Sequence, residues 1–539
     1  MKRTFVGAAL AAILIAAPMT GGQDGPGPSA QAQGGALKLS LSDAVRRALE
    51  ANLDLAIEVL NPEMDEASAA AAREAFLPTF GLSSNYVDQE IPNSWGLEGP
   101  TVKTRRDYYQ FGVSQRTPLG TEIDLALSTQ TTDTSRAFTT VNPAFDSIFQ
   151  LSLRQPLLQG FGSKVNRYES IKAGRRLDMS EASLKATLLQ TIYGVEQAYW
   201  NLTYARESLR VLEMSLAQSR EMFRRNQEAA RVGTKTGVDV LSSEAEVANY
   251  EDGILAARRQ VERAENALRT LLGFPVAGAA AAGGAGAAAP EPAAEALIAA
   301  DEPRAERRTI AFEEALATAF AERPELARVD AALADAATDV GYFKNQLLPR
   351  LDLNLQMWYP GQSGVRYVFQ DDNPLSGIVI GKIAGSRADS FKDVWKMTYG
   401  SVSFNVSLTL PLSNVISRAE LARARLAQEQ ARLRLEKERR AIEAEVVDAV
   451  RDLEASARRI DTSARYRELM EKRVAAETQR YDLGLVGSEW LFTYQRSLAQ
   501  AKADEIRAVI DYRIALAALD KAMGTTLRTK GLKFKGYEF

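Results

Sequence analysis

Chemistry in this chain must come from carboxylates, lysines and hydroxyls, because its 539 residues include neither cysteine nor histidine. Disulfides, thiolate nucleophiles, imidazole bases and most zinc or copper sites are thereby excluded. Two glycine-bearing stretches invite comparison with phosphate cradles. Gly160-Phe-Gly162-Ser-Lys164 has the wrong spacing, and the Ala/Gly/Pro-rich run over 276–306 lacks the Lys-Ser/Thr that would follow; neither binds nucleotide. The remaining polar groups of interest fall in two corresponding stretches. One holds Lys235, Thr236 and Asp239; the other holds Tyr481, Asp482 and Glu489. Asp239 and Glu489 fall in first helical turns, where a carboxylate already stabilises the helix dipole. No compact domain surrounds them to form a pocket, so a carboxylate-based hydrolase is the weakest reading. No catalytic, cofactor-binding or metal-ligating residue is assigned, and an enzyme is not expected. Lys+Arg total 66 against 69 Asp+Glu, which leaves no basic field for nucleic acid.

Those two stretches correspond because the chain repeats itself. Gly233 follows Ala198 by 35 residues and Gly484 follows Ala449 by the same 35; Gly273 and Gly524 each come 40 residues later. Upstream, Ala44, Ala48 and Pro78 match Ala315, Ala319 and Pro349 at a constant offset of 271. A duplicated unit this long is not a solenoid repeat. Repeat 1 spans 37–274 and repeat 2 spans 309–524, joined by an Ala/Gly/Pro linker at 275–308 and followed by a tail at 525–539.

Each repeat reads as helix, strands, long helix, helix. Apolar stripes predict helices over 41–76, capped by Ser42-Asp43, and over 310–347. Each ends at a Leu-Pro step, which favours extended backbone. Strict alternation then takes over. Val402, Phe404, Val406 and Leu408 oppose Ser403, Asn405 and Ser407; Leu351, Leu353, Leu355 and Met357 oppose Asp352, Asn354 and Gln356; Phe149, Leu151 and Leu153 repeat the pattern. These are strands with one apolar and one polar face, placed at about 78–158 and 350–411, four from repeat 1 and two from repeat 2, with a loop over 360–396. Tyr108, Tyr109, Trp358, Tyr359, Trp395 and Tyr399 lie near strand ends, as an interfacial aromatic girdle would. A soluble sandwich is compatible with the same alternation.

Proline-free stretches at 164–231 and 418–480 predict helices of ~100 and ~95 Å at the α-helical rise. Val446, Leu453 and Ile460 recur every seven residues among alanines, a coiled-coil seam. Shorter helices follow at 238–272 and 489–523. Each, added to the first helix of its repeat, equals one long helix, so the two short helices should stack end to end along it. The N-terminus carries Lys2, Arg3 and an apolar run from Phe5 to Ala17, the pattern of a signal peptide over 1–32. No later segment is long and apolar enough for a transmembrane helix, so any membrane crossing falls to strands. Neither the open strands nor the helical seams can bury their apolar faces alone.

Taken together, the duplication, the helix–Leu-Pro–strand junctions, the strand exit Gln155-Pro-Leu-Leu158 and the stretch Arg231-Val-Gly-Thr-Lys-Thr-Gly-Val-Asp-Val-Leu241 resemble the TolC-type outer-membrane efflux family. The resemblance covers nearly all of the chain after the signal. It implies a helix-dominated α+β fold in which an oligomeric transmembrane β-barrel continues into a periplasmic α-helical barrel. It further implies a homotrimer in outer-membrane lipid, working with a periplasmic adaptor and an inner-membrane pump as the exit duct of an efflux or type I secretion system. Family protomers give four strands; six here would make an 18-strand barrel, unless the extra hairpin folds over the lumen or outer rim. The resemblance places adaptor docking at the turns Val232-Gly233-Thr234 and Leu483-Gly484-Leu485. It places a gate nearby, for which this chain offers Lys235, Asp239, Tyr481, Asp482 and Glu489. The family's acidic pattern in repeat 2 is not kept: Trp490 stands at the Asp239-equivalent position and Val486 at the Lys235-equivalent one. Trp490, Phe492 and Tyr494 are expected in the core of the tip, and the tail from Thr525 around the middle of the helical tube. Drug-like compound, metal ion and polypeptide all stay open as substrate, as does the pump class. The alternative is a secreted structural coiled-coil protein with a soluble β cap.

Overall fold

The computed structural model describes residues 37–93, 99–137, 139–275 and 296–532. The expected signal peptide, most of the linker and the last residues of the tail, Phe539 included, lie outside the described residues. In chain order the elements are β1 (Leu37–Leu39), α1 (Leu41–Ala51), α2 (Leu53–Glu74), β2 (Thr79–Pro92), β3 (Thr101–Arg116), β4 (Glu122–Thr134), β5 (Val141–Pro156), α3 (Ser163–Asn166), α4 (Tyr168–Arg231) and α5 (Gly237–Leu271). The second unit has β6 (Leu297–Ala299), α6 (Phe312–Glu322), α7 (Pro324–Asn345), β7 (Arg350–Phe369), β8 (Val379–Ile383), α8 (Arg387–Trp395), β9 (Ser401–Thr409), α9 (Val415–Asp482), α10 (Ser488–Ala522) and α11 (Thr526–Lys530).

The first helix of each repeat is split in two, where continuous helices were expected over 41–76 and 310–347. In repeat 1 the break is Asn52, extended at φ −72° and ψ 124°, whose side chain accepts the Leu55 amide and so caps α2. In repeat 2 the break is Arg323, followed by Pro324 at the first position of α7, where a missing N–H costs nothing. The cap of α1 is Ser40, whose hydroxyl accepts the Asp43 amide, rather than Ser42-Asp43.

These breaks receive the ends of the short C-terminal helices. Gly273, just past α5, has φ +70°, and a Cβ there would stand 2.6 Å from the Ala51 carbonyl oxygen. Asn52 Nδ2 donates to the Leu271 carbonyl at 3.1 Å. Gly524, just past α10, repeats the arrangement at φ +72° against Glu322 and Arg323. Thus α1–α2 and α5 run in line along α4, and α6–α7 and α10 along α9. The duplicated glycines are needed for left-handed backbone at a close approach. Two apolar clusters sit at these joints. One gathers Leu184, Leu188, Ile192, Tyr199 and Leu272; the other gathers Ala315, Ile442, Val446, Leu453 and Tyr512. Parallel pairing of β1 with β6 brings the linker's end to the first cluster. From the tail, Leu527 of α11 packs into it, and Lys530 reaches the buried Glu196 at 2.8 Å.

Above the helices, six long strands form one antiparallel sheet in the order β2-β3-β4-β5-β7-β9, and β8 pairs with the far end of β7. The loop expected over 360–396 is overturned: β7 continues to Phe369, and β8 and α8 follow. Register fixes the faces, since directly paired residues share one. The row Phe80–Val113–Leu125–Leu151–Met357–Val402 crosses all six strands, and Leu82–Phe111–Leu127–Phe149–Tyr359 lies beside it. The opposite face carries rows such as Ser114–Asp124–Ser152–Gln356–Ser403. The aromatic girdle is corrected by the same register. Tyr109 and Tyr359 share the apolar face, whereas Tyr108 and Trp358 pair with Gln130 and Gln150 on the polar one.

Candidate functional site

The two helical hairpins, α4–α5 and α9–α10, end in turns of one design. The Thr234 amide donates to Ala229 at 2.9 Å and the Leu485 amide to Arg480 at 2.9 Å, each across a glycine in left-handed backbone, Gly233 at φ +77° and Gly484 at φ +72°. Such closure satisfies the last helical carbonyls. The turns expose apolar side chains beside polar ones: Val232 is 76% exposed, Leu483 74% and Leu485 67%, next to exposed Arg231, Thr234 and Asp482. Val238 and Leu241 continue the patch on α5.

Behind the turns the hairpins are tied to each other. The Tyr481 hydroxyl donates to Asn226 Oδ1 at 2.6 Å, with both residues buried. Lys235 Nζ lies 3.7 Å from the Tyr481 ring centroid, a cation–π contact. Asp239 caps α5 by accepting from the Thr236 amide and hydroxyl, and its other oxygen accepts from Ser488 Oγ at 3.0 Å. Two turns further along the helices, Arg496 approaches the buried Glu246 at 3.8 Å. Partial burial opposes ionisation of Asp239, yet hydrogen bonds from Thr236 and Ser488 and the charge of Lys235 hold its carboxyl below the usual range. Burial pushes the Tyr481 phenol and the Glu246 carboxyl up.

Of the five gate candidates, Lys235, Asp239 and Tyr481 therefore converge on this joint. Asp482 and Glu489 do not: both are exposed, with no side-chain ion pair among the described residues. The expected tip core is corrected at one position. Phe492 is buried and Tyr494 half-buried, but Trp490 is 60% exposed; it follows Glu489 on the outward side of α10 and extends the apolar tip patch. Sequence reasoning missed Asn226 and Ser488. Asn226 sits in an Arg/Gln/Glu-rich stretch that reads as a solvated face, and Ser488, first residue of α10, reads as a helix start.

Where the sheet meets the helices, a cavity of about 380 Å³ opens on the polar face. Arg154 bridges Glu122 at 3.0 Å and Asp352 at 3.2 Å, and Arg350 meets Asp352 at 2.7 Å. Just beneath, Lys172 pairs with Asp335 and Asp339, and its ammonium pKa is raised by these carboxylates and the Tyr168 hydroxyl against the cost of burial. Arg350 is thus paired with one carboxylate, and Arg154 and Lys172 with two each.

The family described as outer membrane efflux protein matches residues 112–274 and 315–525. The chain belongs to that family. This efflux channel is therefore an outer-membrane protein with a periplasmic portion, and the alternative of a secreted coiled-coil protein with a soluble cap is set aside. No curated relative matches by sequence. Among solved structures, the outer-membrane channel MtrE of Neisseria gonorrhoeae in its open state is 20% identical, with 90% of this chain and 89% of that chain covered at a TM-score of 0.59. VceC of Vibrio cholerae is 15% identical (90% and 96%, 0.60), and the Campylobacter jejuni channel CmeC is 16% identical (90% and 85%, 0.59). At these identities the likeness establishes the efflux-channel fold. No helix among the described residues of the channel is long and apolar enough to cross a membrane.

Proposed function

We propose that this outer membrane efflux protein works as a homotrimeric exit duct, receiving substrate from a periplasmic adaptor and inner-membrane pump and opening when its partner binds. The carrying observation is the six-stranded sheet. One face is apolar and the other polar, and β2 and β9 have no sheet partner on their outer sides among the described residues. In a bilayer such edges must be paired, because lipid offers no hydrogen bonds. Three copies joined β9 to β2 close into 18 strands, an even number, with lipid outside and water within. The four helices beneath each sheet then form a tube continuous with the barrel.

The apolar turns at Val232, Gly233, Thr234, Leu483, Gly484 and Leu485 are the docking surface in this reading. Lys235, Asp239 and Tyr481 hold the two hairpins together, and partner binding parts them. Exposed Asp482 and Glu489, repeated threefold around the opening, favour cations over anions at the entrance.

Mass measurement in detergent and planar-bilayer conductance test the duct. A detergent-solubilised species of three protomers that conducts is expected; a non-conducting monomer overturns it. Co-purification with an adaptor tests docking, which a Leu483→Glu, Val232→Glu variant should abolish while the trimer persists.

A further inference from the structure

Beneath the sheet the helices stand in a row, with α2 packed on α4, α4 on α7 and α7 on α9. The end members, α2 and α9, each carry a second apolar stripe. On α2 the side turned to α4 holds Leu55, Val59 and Ala69, all buried. The other side holds Leu53, Ile57, Leu60, Met64, Ala67 and Ala71, all exposed, with Ile57 at 64% and Met64 at 60%. At about 3.6 residues per turn the two sets lie on opposite sides of the helix. An amphipathic surface helix puts polar residues opposite its buried stripe. Here the steps along the exposed stripe alternate between four and three residues, the repeat of a helix lying lengthwise against another. On α9 the buried side holds Leu421, Ala424 and Ala431. Opposite lie Ala419, Ala422, Leu426, Glu429 and Leu433, all exposed, with Leu426 at 73% and Leu433 at 56%. Glu429, the one polar member, is held by Arg432 at 3.9 Å.

The two stripes match in height. Helix α2 runs towards the sheet and ends at Glu74, whereas α9 leaves it from Val415, so the two edges are antiparallel. Counted from those ends, Ala67 and Ala422 each lie seven residues away, and Leu60 and Glu429 each fourteen. Met64 and Leu426 lie ten and eleven away, Ile57 and Leu433 seventeen and eighteen. A difference of one residue is ~1.5 Å. Small side chains thus face small ones near the sheet, and large face large further down. Charge is matched as well. Helix α2 has six carboxylates and one arginine, while residues 415–440 have eight cations and four carboxylates. Beside the stripes, exposed Glu63 comes level with exposed Arg425, and exposed Asp54 lies within two residues of the height of exposed Lys437. None of these four has an ion pair within the protomer among the described residues. Opposite potentials on two surfaces steer their encounter and fix its register.

We infer that α2 of one copy seats against α9 of the next in this register, Met64 on Leu426 and Ile57 on Leu433, and that this seam closes the helical tube and sets the alignment of the strand edges above it. The occupant of each stripe is a second copy of this chain, because the stripe of matching height, size and charge lies on the far edge of the same row. Contact between two different edges is head-to-tail, the kind that closes into a ring. The inference rests on the homotrimer reading.

The chain has no cysteine, so engineered thiols are the only ones present. A full chain carrying Met64→Cys and Leu426→Cys is extracted in detergent, oxidised and run on a denaturing gel. Dimer and trimer bands that vanish on reduction are expected, because within one protomer the two positions lie on opposite edges of the row. A chain carrying Met64→Cys and Leu433→Cys is displaced by seven residues, ~10 Å, and should run as a monomer. Before oxidation, the thiol of the Met64→Cys single variant should be shielded from a water-soluble maleimide in the native assembly. Three outcomes overturn the seam while a native mass of three protomers leaves the trimer standing: no band from the 64–426 pair, equal bands from the displaced pair, or free labelling at position 64, which would leave the stripe to water or to another partner. A native mass of one protomer overturns the trimer reading itself, and the seam with it.

Discussion

Removing one oxygen from the tip should loosen the channel's closed state. Tyr481→Phe keeps the ring and its contact with Lys235 but deletes the hydroxyl that Asn226 accepts at 2.6 Å. Asn226 is only 2% exposed, and its Nδ2 already lacks a partner. The substitution thus loses a neutral hydrogen bond and strands a buried acceptor, at a cost of about 1–3 kcal/mol. If the joint breaks when the hairpins part, the ratio of parted to joined tips rises about 5- to 150-fold. Planar-bilayer recording of the purified protein reads this ratio as open-state occupancy. Asn226→Ala should act alike, and the double variant should show little added effect, because both changes remove the same bond. Unchanged occupancy in both single variants, with unchanged oligomer mass, would refute the idea that this joint holds the tips closed.

Further outcomes can be checked at the same end of the molecule. Gly233→Ala with Gly484→Ala meets open space at both sites, so the cost is left-handed backbone alone, about 1–2 kcal/mol per site; export should fail while trimer assembly, read by native mass, survives. The lowered pKa of Asp239 means that its contribution to folding is fully present above the usual carboxylate range and fades as pH falls through the lower folded value. Closed-state occupancy should therefore hold steady from pH 8 to pH 5 and drop only below about pH 4, and Asp239→Asn should remove that step. Glu246 has the opposite sign, since burial raises its folded pKa. Its contribution favours folding at low pH and is lost as pH rises through the folded value, so Glu246→Gln should flatten that part of the Tm–pH curve and raise Tm near neutrality.

Long-range spacing proved more legible than local detail. The matched 40-residue offsets from Gly233 to Gly273 and from Gly484 to Gly524 correspond to two hairpin helices of 35 residues each, α5 and α10. Alternation along Leu351–Met357 and Val402–Leu408 assigned the strand faces, because a period of two cannot be satisfied by a helix. Asn52 and Arg323 escaped notice because a helix broken at one cap keeps its apolar stripe on both sides. The stretch Ser386-Arg-Ala-Asp389 did carry a capping-box signal for α8, obscured by the glycines and prolines around it. Trp490 was misjudged because bulk suggests burial, and only the tertiary arrangement reveals which side of a hairpin tip is covered. The pairing of Asn226 with Tyr481 joins residues 255 apart in the chain, and nothing in either neighbourhood announces it.

The six-stranded sheet also sets a matter of girth. Closed threefold, 18 strands at ~4.8 Å spacing and ~40° tilt give a perimeter of ~113 Å. Twelve helices side by side at 8–10 Å give ~96–120 Å. In the proposed trimer two cylinders of unlike material would thus meet without a ledge, and a solute moving outward would cross from helical wall to strand wall at nearly constant girth.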